Sequence, residues 1–179
     1  RLAGLKQQGQ REEQQEQWAN AVAAYEQAQK IDGSVLFARE GLERSRMRAQ
    51  IDQQLRTAIA EPQRLTDTAV AAATEQLLAQ ARQITPRGPA LEQQISALDT
   101  ALRQANTEVT VTLRSDEKTD VIVYKVARLG SFSERELTLR PGNYTALGTR
   151  AGYRDVRHSF TIAADSTPAP VTIICTEPI

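Results

Sequence analysis

The side chains best suited to chemistry are a single histidine, a single cysteine and one cluster of carboxylates. His158 is the only histidine and lies in a segment that alternates like a strand; without other matched partners around it, it cannot build a triad or a histidine-based metal cluster. Cys175 ends the apolar run Val-Thr-Ile-Ile-Cys, where a thiol with no neighbouring base behaves as a small core residue. We therefore predict no catalytic residue and no cofactor, and a protein that is not an enzyme.

Three carboxylates fall in one polar turn, at Asp116, Glu117 and Asp120, and carboxylates are the ligands that calcium prefers. The turn lacks the Asp-x-Asp-x-Asp-Gly spacing of a calcium loop, and Lys118 interrupts it. We predict a solvated hairpin tip and no metal site, with calcium binding as the alternative.

Four residues of the second half are candidates for contact with a partner molecule: Arg128, Arg140, Tyr153 and Arg154. Arginine and tyrosine are enriched at protein interfaces because they combine contact area with hydrogen bonding. The alternative for Tyr153 is that its ring closes the bottom of a β-sandwich.

The composition changes near residues 105 to 108. Glutamine is frequent up to Gln104 and absent after it, while Val, Thr and Tyr concentrate after Thr107. The first set favours helices and the second favours strands. The sequence therefore predicts an α+β chain of two segregated domains, with helical hairpins in residues 1–106 and a small all-β sandwich in residues 107–179.

Apolar residues at spacings of three and four predict the helices of the first domain. We expect four antiparallel helices in two hairpins, over about residues 18–31, 35–60, 64–84 and 90–105, preceded by a polar helical segment. Trp18 and Tyr25 lie on the apolar face of the first, so we expect core packing rather than ligand binding. The predicted seams of the last two helices are Val70, Ala73, Leu77, Ala81 and Ile84, and Leu91, Ile95, Leu98 and Leu102.

The segment from Trp18 to Gly33 resembles the second helix of a tetratricopeptide repeat. The matching residues are Trp18, Ala21, Tyr25, Ala28 and Asp32, with Gly33 in place of the usual proline and Gly9 where the preceding helix carries a small residue. The pattern reflects close helix packing, in which Ala or Gly leaves room and an aromatic ring fills a gap. It covers about one repeat and the start of a second at Ala38 and Leu42, so the region is tetratricopeptide-like rather than a full array.

The second half alternates with a period of two and predicts six or seven short strands. Its turns resemble those of a PEGA domain, a small bacterial β-sandwich, over about 70 residues. The residues that carry this resemblance are Leu139-Arg-Pro-Gly-Asn-Tyr144, Gly152-Tyr153, Val156, Phe160 and Ile162. The resemblance implies a non-enzymatic module on the outer side of a bacterial membrane, in the periplasm or cell envelope.

The chain carries 22 basic and 22 acidic residues and only 4% aromatic residues. Without net charge or spare rings, binding to nucleic acid is disfavoured. Since residue 1 is arginine rather than methionine, we expect a fragment whose anchor or signal lies upstream. The predicted function is protein–protein interaction or scaffolding in the envelope, with an unidentified protein partner. The alternative is binding of cell-wall glycan, such as peptidoglycan, through the sandwich.

Overall fold

A computed structural model describes residues 1–179, which divide into two compact units, Arg1–Leu102 and Arg103–Ile179. Helices come first and strands follow, which confirms the predicted α+β fold class. The helices are α1 (Leu2–Gln14), α2 (Trp18–Ile31), α3 (Leu36–Ala60), α4 (Thr68–Gln83) and α5 (Pro89–Asn106). No helix is both long and apolar enough to span a membrane.

Residues 2–14, predicted as a polar helical segment before the four helices, form a helix of their own, α1, which ends before Glu16 adopts a φ of 57°. The start predicted for the third of the four helices was wrong. The helix predicted from Arg64 begins at Thr68 instead, because a 3₁₀ turn (Pro62–Thr66) follows Pro62 and Asp67 then caps a new helix. The Asp67 carboxylate accepts hydrogen bonds from the amides of Ala69 and Val70, which satisfies donors that a helix start leaves free.

Tyr25 lies at the centre of the packing among α1, α2 and α3. Its side chain is 1% exposed, and a β-carbon built on Gly9 or Gly41 would lie 2.5 Å from the ring. The close approach predicted at Gly9 is therefore confirmed, and Gly41 on α3 makes a second one. Trp18, predicted to be core, is only half-buried and has the Arg48 guanidinium 4.4 Å from its ring centroid.

The second unit is two sheets packed face to face. Their strands are β1 (Val109–Arg114), β2 (Asp120–Val123), β3 (Ala127–Gly130), β4 (Glu134–Leu139), β5 (Gly142–Thr149), β6 (Val156–Ile162) and β7 (Val171–Thr172). One sheet has the order β4-β1-β7 and the other has the order β3-β2-β5-β6. Inward-facing residues of both sheets, such as Val111 and Val121, form one core, as expected of a sandwich.

Candidate interaction surfaces

An open groove of about 530 Å³ lies between the C-terminal half of α3 and the face of α4. Its apolar lining is Ala58, Leu65, Val70, Ala73 and Leu77. Leu65, in the 3₁₀ turn, contributes to this lining and is 1% exposed.

Helix α4 has two apolar faces, and this is why the groove exists. The face packed inside the unit is Ala71, Thr74, Leu78 and Ala81, all buried. The predicted seam was wrong by about one residue of rotation, since only Ala81 of that set is buried. Val70 and Leu77 are half-buried and Ala73 is exposed, so they form a second stripe that the chain itself does not cover. Alanine-rich helices present small residues on several sides, and periodicity alone does not say which side faces the core.

The rim of the groove is polar but has no net charge. Glu61 and Arg64 both line the groove, and their charged groups pair at 3.2 Å. The remaining polar lining consists of amides and hydroxyls: Gln53, Gln54, Thr57, Thr74, Gln76 and Gln80. Such a rim can hydrogen-bond to peptide groups, but it attracts neither a cation nor an anion selectively.

Helix α5 braces the two helices of the groove. Gln94 donates a 2.7 Å hydrogen bond to Asp52 on α3, and Arg82 on α4 pairs with Asp99 at 2.7 Å. The predicted seam of α5 is confirmed, because Leu91, Ile95, Leu98 and Leu102 are all buried. The groove walls are therefore tied to a common support.

A buried carboxylate holds the start of α5. Glu16 is 8% exposed and accepts hydrogen bonds from the amides of Ala90, at 2.7 Å, and Leu91, at 3.0 Å. It satisfies two amides that the first turn of a helix leaves free, from more than seventy residues away in sequence. No local signal in the sequence predicts this cap.

The four predicted contact residues do not form one patch. Tyr153 and Arg154 lie together in the turn after β5, where the Arg154 amide donates to the carbonyl of Glu177 and Tyr153 pairs with Pro178. The Arg150 guanidinium lies 4.0 Å from the centroid of the Tyr153 ring.

The other two predicted contact residues are also engaged within the chain. Arg128 on β3 pairs with Asp120 at 2.5 Å. Arg140 lies just before β5, at the opposite end of that strand from Tyr153. Its Nε donates to the carbonyl of Ala105 at 3.2 Å, while one terminal nitrogen is buried without a partner.

Cross-strand pairing defines the outer face of the four-stranded sheet. The Tyr124 amide donates to the carbonyl of Thr145, and Thr145 lies opposite Ser159, so these three residues form one row across three strands. Tyr124 is 40% exposed. Tyr144 instead stacks on Phe160 on the inner face and donates its hydroxyl to the carbonyl of Arg140. Burial raises the pKa of Tyr144 above its ordinary value, the nearby Arg140 charge opposing the shift.

Of the reactive side chains named above, Cys175 and Asp116 lie among hydrogen bonds of the sandwich, and His158 lies on its surface. Cys175 is buried in the sandwich, and its amide donates to the hydroxyl of Thr119. His158 is exposed on β6. The Asp116 carboxylate accepts from the amides of Lys118 and Thr119, which closes the hairpin turn.

No protein-family model matches this chain, and no curated protein resembles it closely enough to be reported as a relative. The tetratricopeptide and PEGA resemblances therefore stay predictions made from the residues quoted above.

Proposed function

We propose that this chain is a non-enzymatic protein-interaction module of the bacterial cell envelope, whose α3–α4 groove binds an uncharged, apolar segment of a partner protein. The observation that carries the proposal is the second apolar stripe of α4, formed by Val70, Ala73 and Leu77 and left open along the groove. An open apolar stripe beside polar rims is the form in which helical grooves bind peptides.

The chemistry of the groove selects the partner segment. The paired Glu61 and Arg64 cancel each other, so no charge on the partner would be favoured. The rim glutamines offer donors and acceptors to the peptide groups of a bound segment, and the small Ala58 and Ala73 leave room for larger apolar side chains. Placement in the envelope rests on the PEGA-like turns around Pro141 and Gly152.

A peptide-display selection on the whole chain tests the groove directly. Ala73→Lys places a long charged side chain on the exposed groove stripe, while Ala72→Lys makes the same change at an exposed position of α4 that does not line the groove. We expect apolar peptides selected on the original chain to bind Ala73→Lys at least about tenfold more weakly, a loss of about 1.4 kcal/mol. Ala72→Lys should bind them unchanged, as measured by calorimetry.

The selection has outcomes that contradict the proposal. Equal loss in both variants would mean that the charge, not the groove, weakens binding. Unchanged affinity in Ala73→Lys would place the peptide elsewhere. If the immobilised chain captured nothing above background from envelope extracts, this would count against a protein partner.

A second candidate is glycan binding by the outer face of the four-stranded sheet. Tyr124 is the exposed ring there, and Thr145, Ser159, Asn143 and Thr161 supply hydroxyls and an amide beside it. An exposed ring flanked by hydrogen-bonding groups suits the apolar face and hydroxyls of a sugar. Purified cell wall should then sediment the chain, Tyr124→Ala should lose this co-sedimentation, and Met47→Ala, a surface change on α3, should keep it.

A further inference from the structure

The sandwich has four edge strands, and β6 is the longest of them, with Arg157 as its one arginine and no acidic residue. Among the others, β3 has four residues beside a bulge and β7 has two. On β4, the three consecutive charges of Glu134, Arg135 and Glu136 oppose edge pairing. Strand β6 has seven residues, Val156–Ile162, pairs with β5 without a bulge, and makes no backbone hydrogen bond to any other segment.

The register fixes which backbone groups of β6 face outward. The carbonyl of Thr145 accepts from the Tyr124 amide, so the backbone polar groups of Thr145 point toward β2. Ser159, opposite Thr145, is therefore in a non-hydrogen-bonded pair, and its own amide and carbonyl point away from β5. By alternation, the open edge displays the amides and carbonyls of Arg157, Ser159 and Thr161.

We propose that β6 pairs with β6 of a second copy of this chain, antiparallel and centred on Ser159, to make a continuous eight-stranded sheet. In this register Ser159 lies opposite Ser159, and Arg157 lies opposite Thr161 of the second copy. On the inner face, Val156 lies opposite Ile162 of the second copy. The three outward residues form three hydrogen-bonded pairs, each with two hydrogen bonds.

The residues of β6 match a second copy of the same strand in this register. The apolar Val156 and Ile162 meet on the inner face, and the exposed Arg157 lies against the hydroxyl of Thr161 rather than against the other Arg157. Like charges directly opposite would destabilise the pair, and this register avoids them. The chain has equal numbers of acidic and basic residues, so two copies meet without net repulsion. Two seven-residue strands make a small interface, and the dimer is therefore weak and concentration-dependent.

Disulfide trapping tests the register. In a hydrogen-bonded antiparallel pair the two Ser159 α-carbons are about 5.5 Å apart, within disulfide range, so Ser159→Cys is expected to form a covalent dimer under mild oxidation. Thr161→Cys is the matched control on the same strand and face. Its two copies are offset by four residues, roughly 13 Å along the strand, and should stay monomeric. The buried Cys175 does not compete.

Sedimentation velocity of the full chain gives the second readout. The original chain is expected to shift reversibly toward twice its mass as concentration rises, and Ser159→Pro is expected to abolish the shift. Proline removes an outward-facing amide and the exposed hydroxyl that lies 3.2 Å from the hydroxyl of Thr145, but no backbone hydrogen bond to β5, so the pairing with β5 and the strand signal in circular dichroism should remain. A chain that stays monomeric at every concentration overturns the proposal, whether or not an added peptide strand binds the edge. Equal trapping of Ser159→Cys and Thr161→Cys, or a dimer that Ser159→Pro does not weaken, also overturns it.

Discussion

Single glycines decide how closely the first three helices approach. Gly9 on α1 and Gly41 on α3 both face the ring of Tyr25, which is almost fully buried. Glycine normally weakens a helix, because it gains backbone freedom when unfolded. Its presence at both positions is explained by the ring, which occupies the space that a side chain would need.

Gly9→Ala should destabilise the helical unit by about 1–3 kcal/mol, because the added methyl group overlaps a ring that is packed on all sides. Gly4→Ala, on the same helix with nothing within 4 Å of its added carbon, should instead stabilise by about 0.5–1 kcal/mol. Urea unfolding followed by the helical circular dichroism signal measures both. Stabilisation by Gly9→Ala would contradict the packing around Tyr25.

The Asp116 carboxylate should make the sandwich sensitive to acid. Partial burial raises its pKa, but the hydrogen bonds from the Lys118 and Thr119 amides outweigh burial and hold the pKa below its ordinary value of 3.8. The carboxylate therefore contributes stability above pH 3.8, and this contribution is lost as pH falls through the lower, folded-state pKa.

NMR titration of the Asp116 carboxyl carbon should give a midpoint below 3.8. Asp116→Asn should lower the free energy of unfolding of the sandwich at neutral pH and make it fall less in acid. Asp155→Asn, at an exposed residue, should change neither quantity. A titration midpoint at or above 3.8 would contradict the hydrogen bonds that close this turn.

The buried face of a helix was predictable in this chain where the helix has only one apolar face. The seam Leu91, Ile95, Leu98 and Leu102 of α5 is apolar on one side only, and its buried face was predicted correctly. On α4 two apolar faces compete, so the sequence placed the buried seam about one residue away from its position. The short strand β3 is harder to place, because its residues Ala-Arg-Leu-Gly carry no alternation strong enough to predict a strand.

Long-range contacts are the part of the candidate sites that no local pattern encodes. The bond between Glu16 and the start of α5 joins residues 74 and 75 positions apart, and Glu16 itself sits in a break between polar helices. The open edge of β6 likewise depends on sheet order, which follows from strand partners rather than from the sequence of β6. Both features required the tertiary fold.

Removing the Glu16 carboxylate should loosen α5, and with it the groove. Glu16→Ala leaves the amides of Ala90 and Leu91 without an acceptor, and loss of a helix cap of this kind costs about 1–2 kcal/mol. Glutamate and alanine are both disfavoured at a φ of 57°, so the backbone strain at position 16 is similar in the original protein and in Glu16→Ala. Hydrogen exchange of the first turn of α5 should speed up.

Glu40→Ala is the matched control, since Glu40 is exposed on α3. It should leave exchange in α5 and the unfolding midpoint unchanged. Equal effects of the two substitutions would mean that Glu16 does not hold this helix.

At the scale of the whole molecule, charge is balanced, and many arginines pair with acidic residues at the surface. Arg44 and Glu13, Arg46 and Glu26, and Arg114 and Glu134 are examples, with the arginine side chains 54–61% exposed. Exposed pairs of this kind contribute little to stability and are weakened further by salt. Together with the zero formal net charge, such pairs reduce long-range attraction to a charged partner, which suits recognition by shape and apolar contact.

The chain should therefore pass through a heparin column at about 0.15 M NaCl without retention, because a sequence pI of about 6.8 and zero formal charge give no long-range attraction to a polyanion. The outer face of the four-stranded sheet is the best place to test for binding of a polyanion, since Arg128 and Arg157 lie on its two edge strands. Arg128 is neutralised by Asp120, so Asp120→Asn should create the retention that the original chain lacks. The contrary outcome is that the original chain is retained on the column and Arg157→Gln is not. That result would reveal an anion-binding surface on this face, and zero net charge would not then predict how the protein binds its partners.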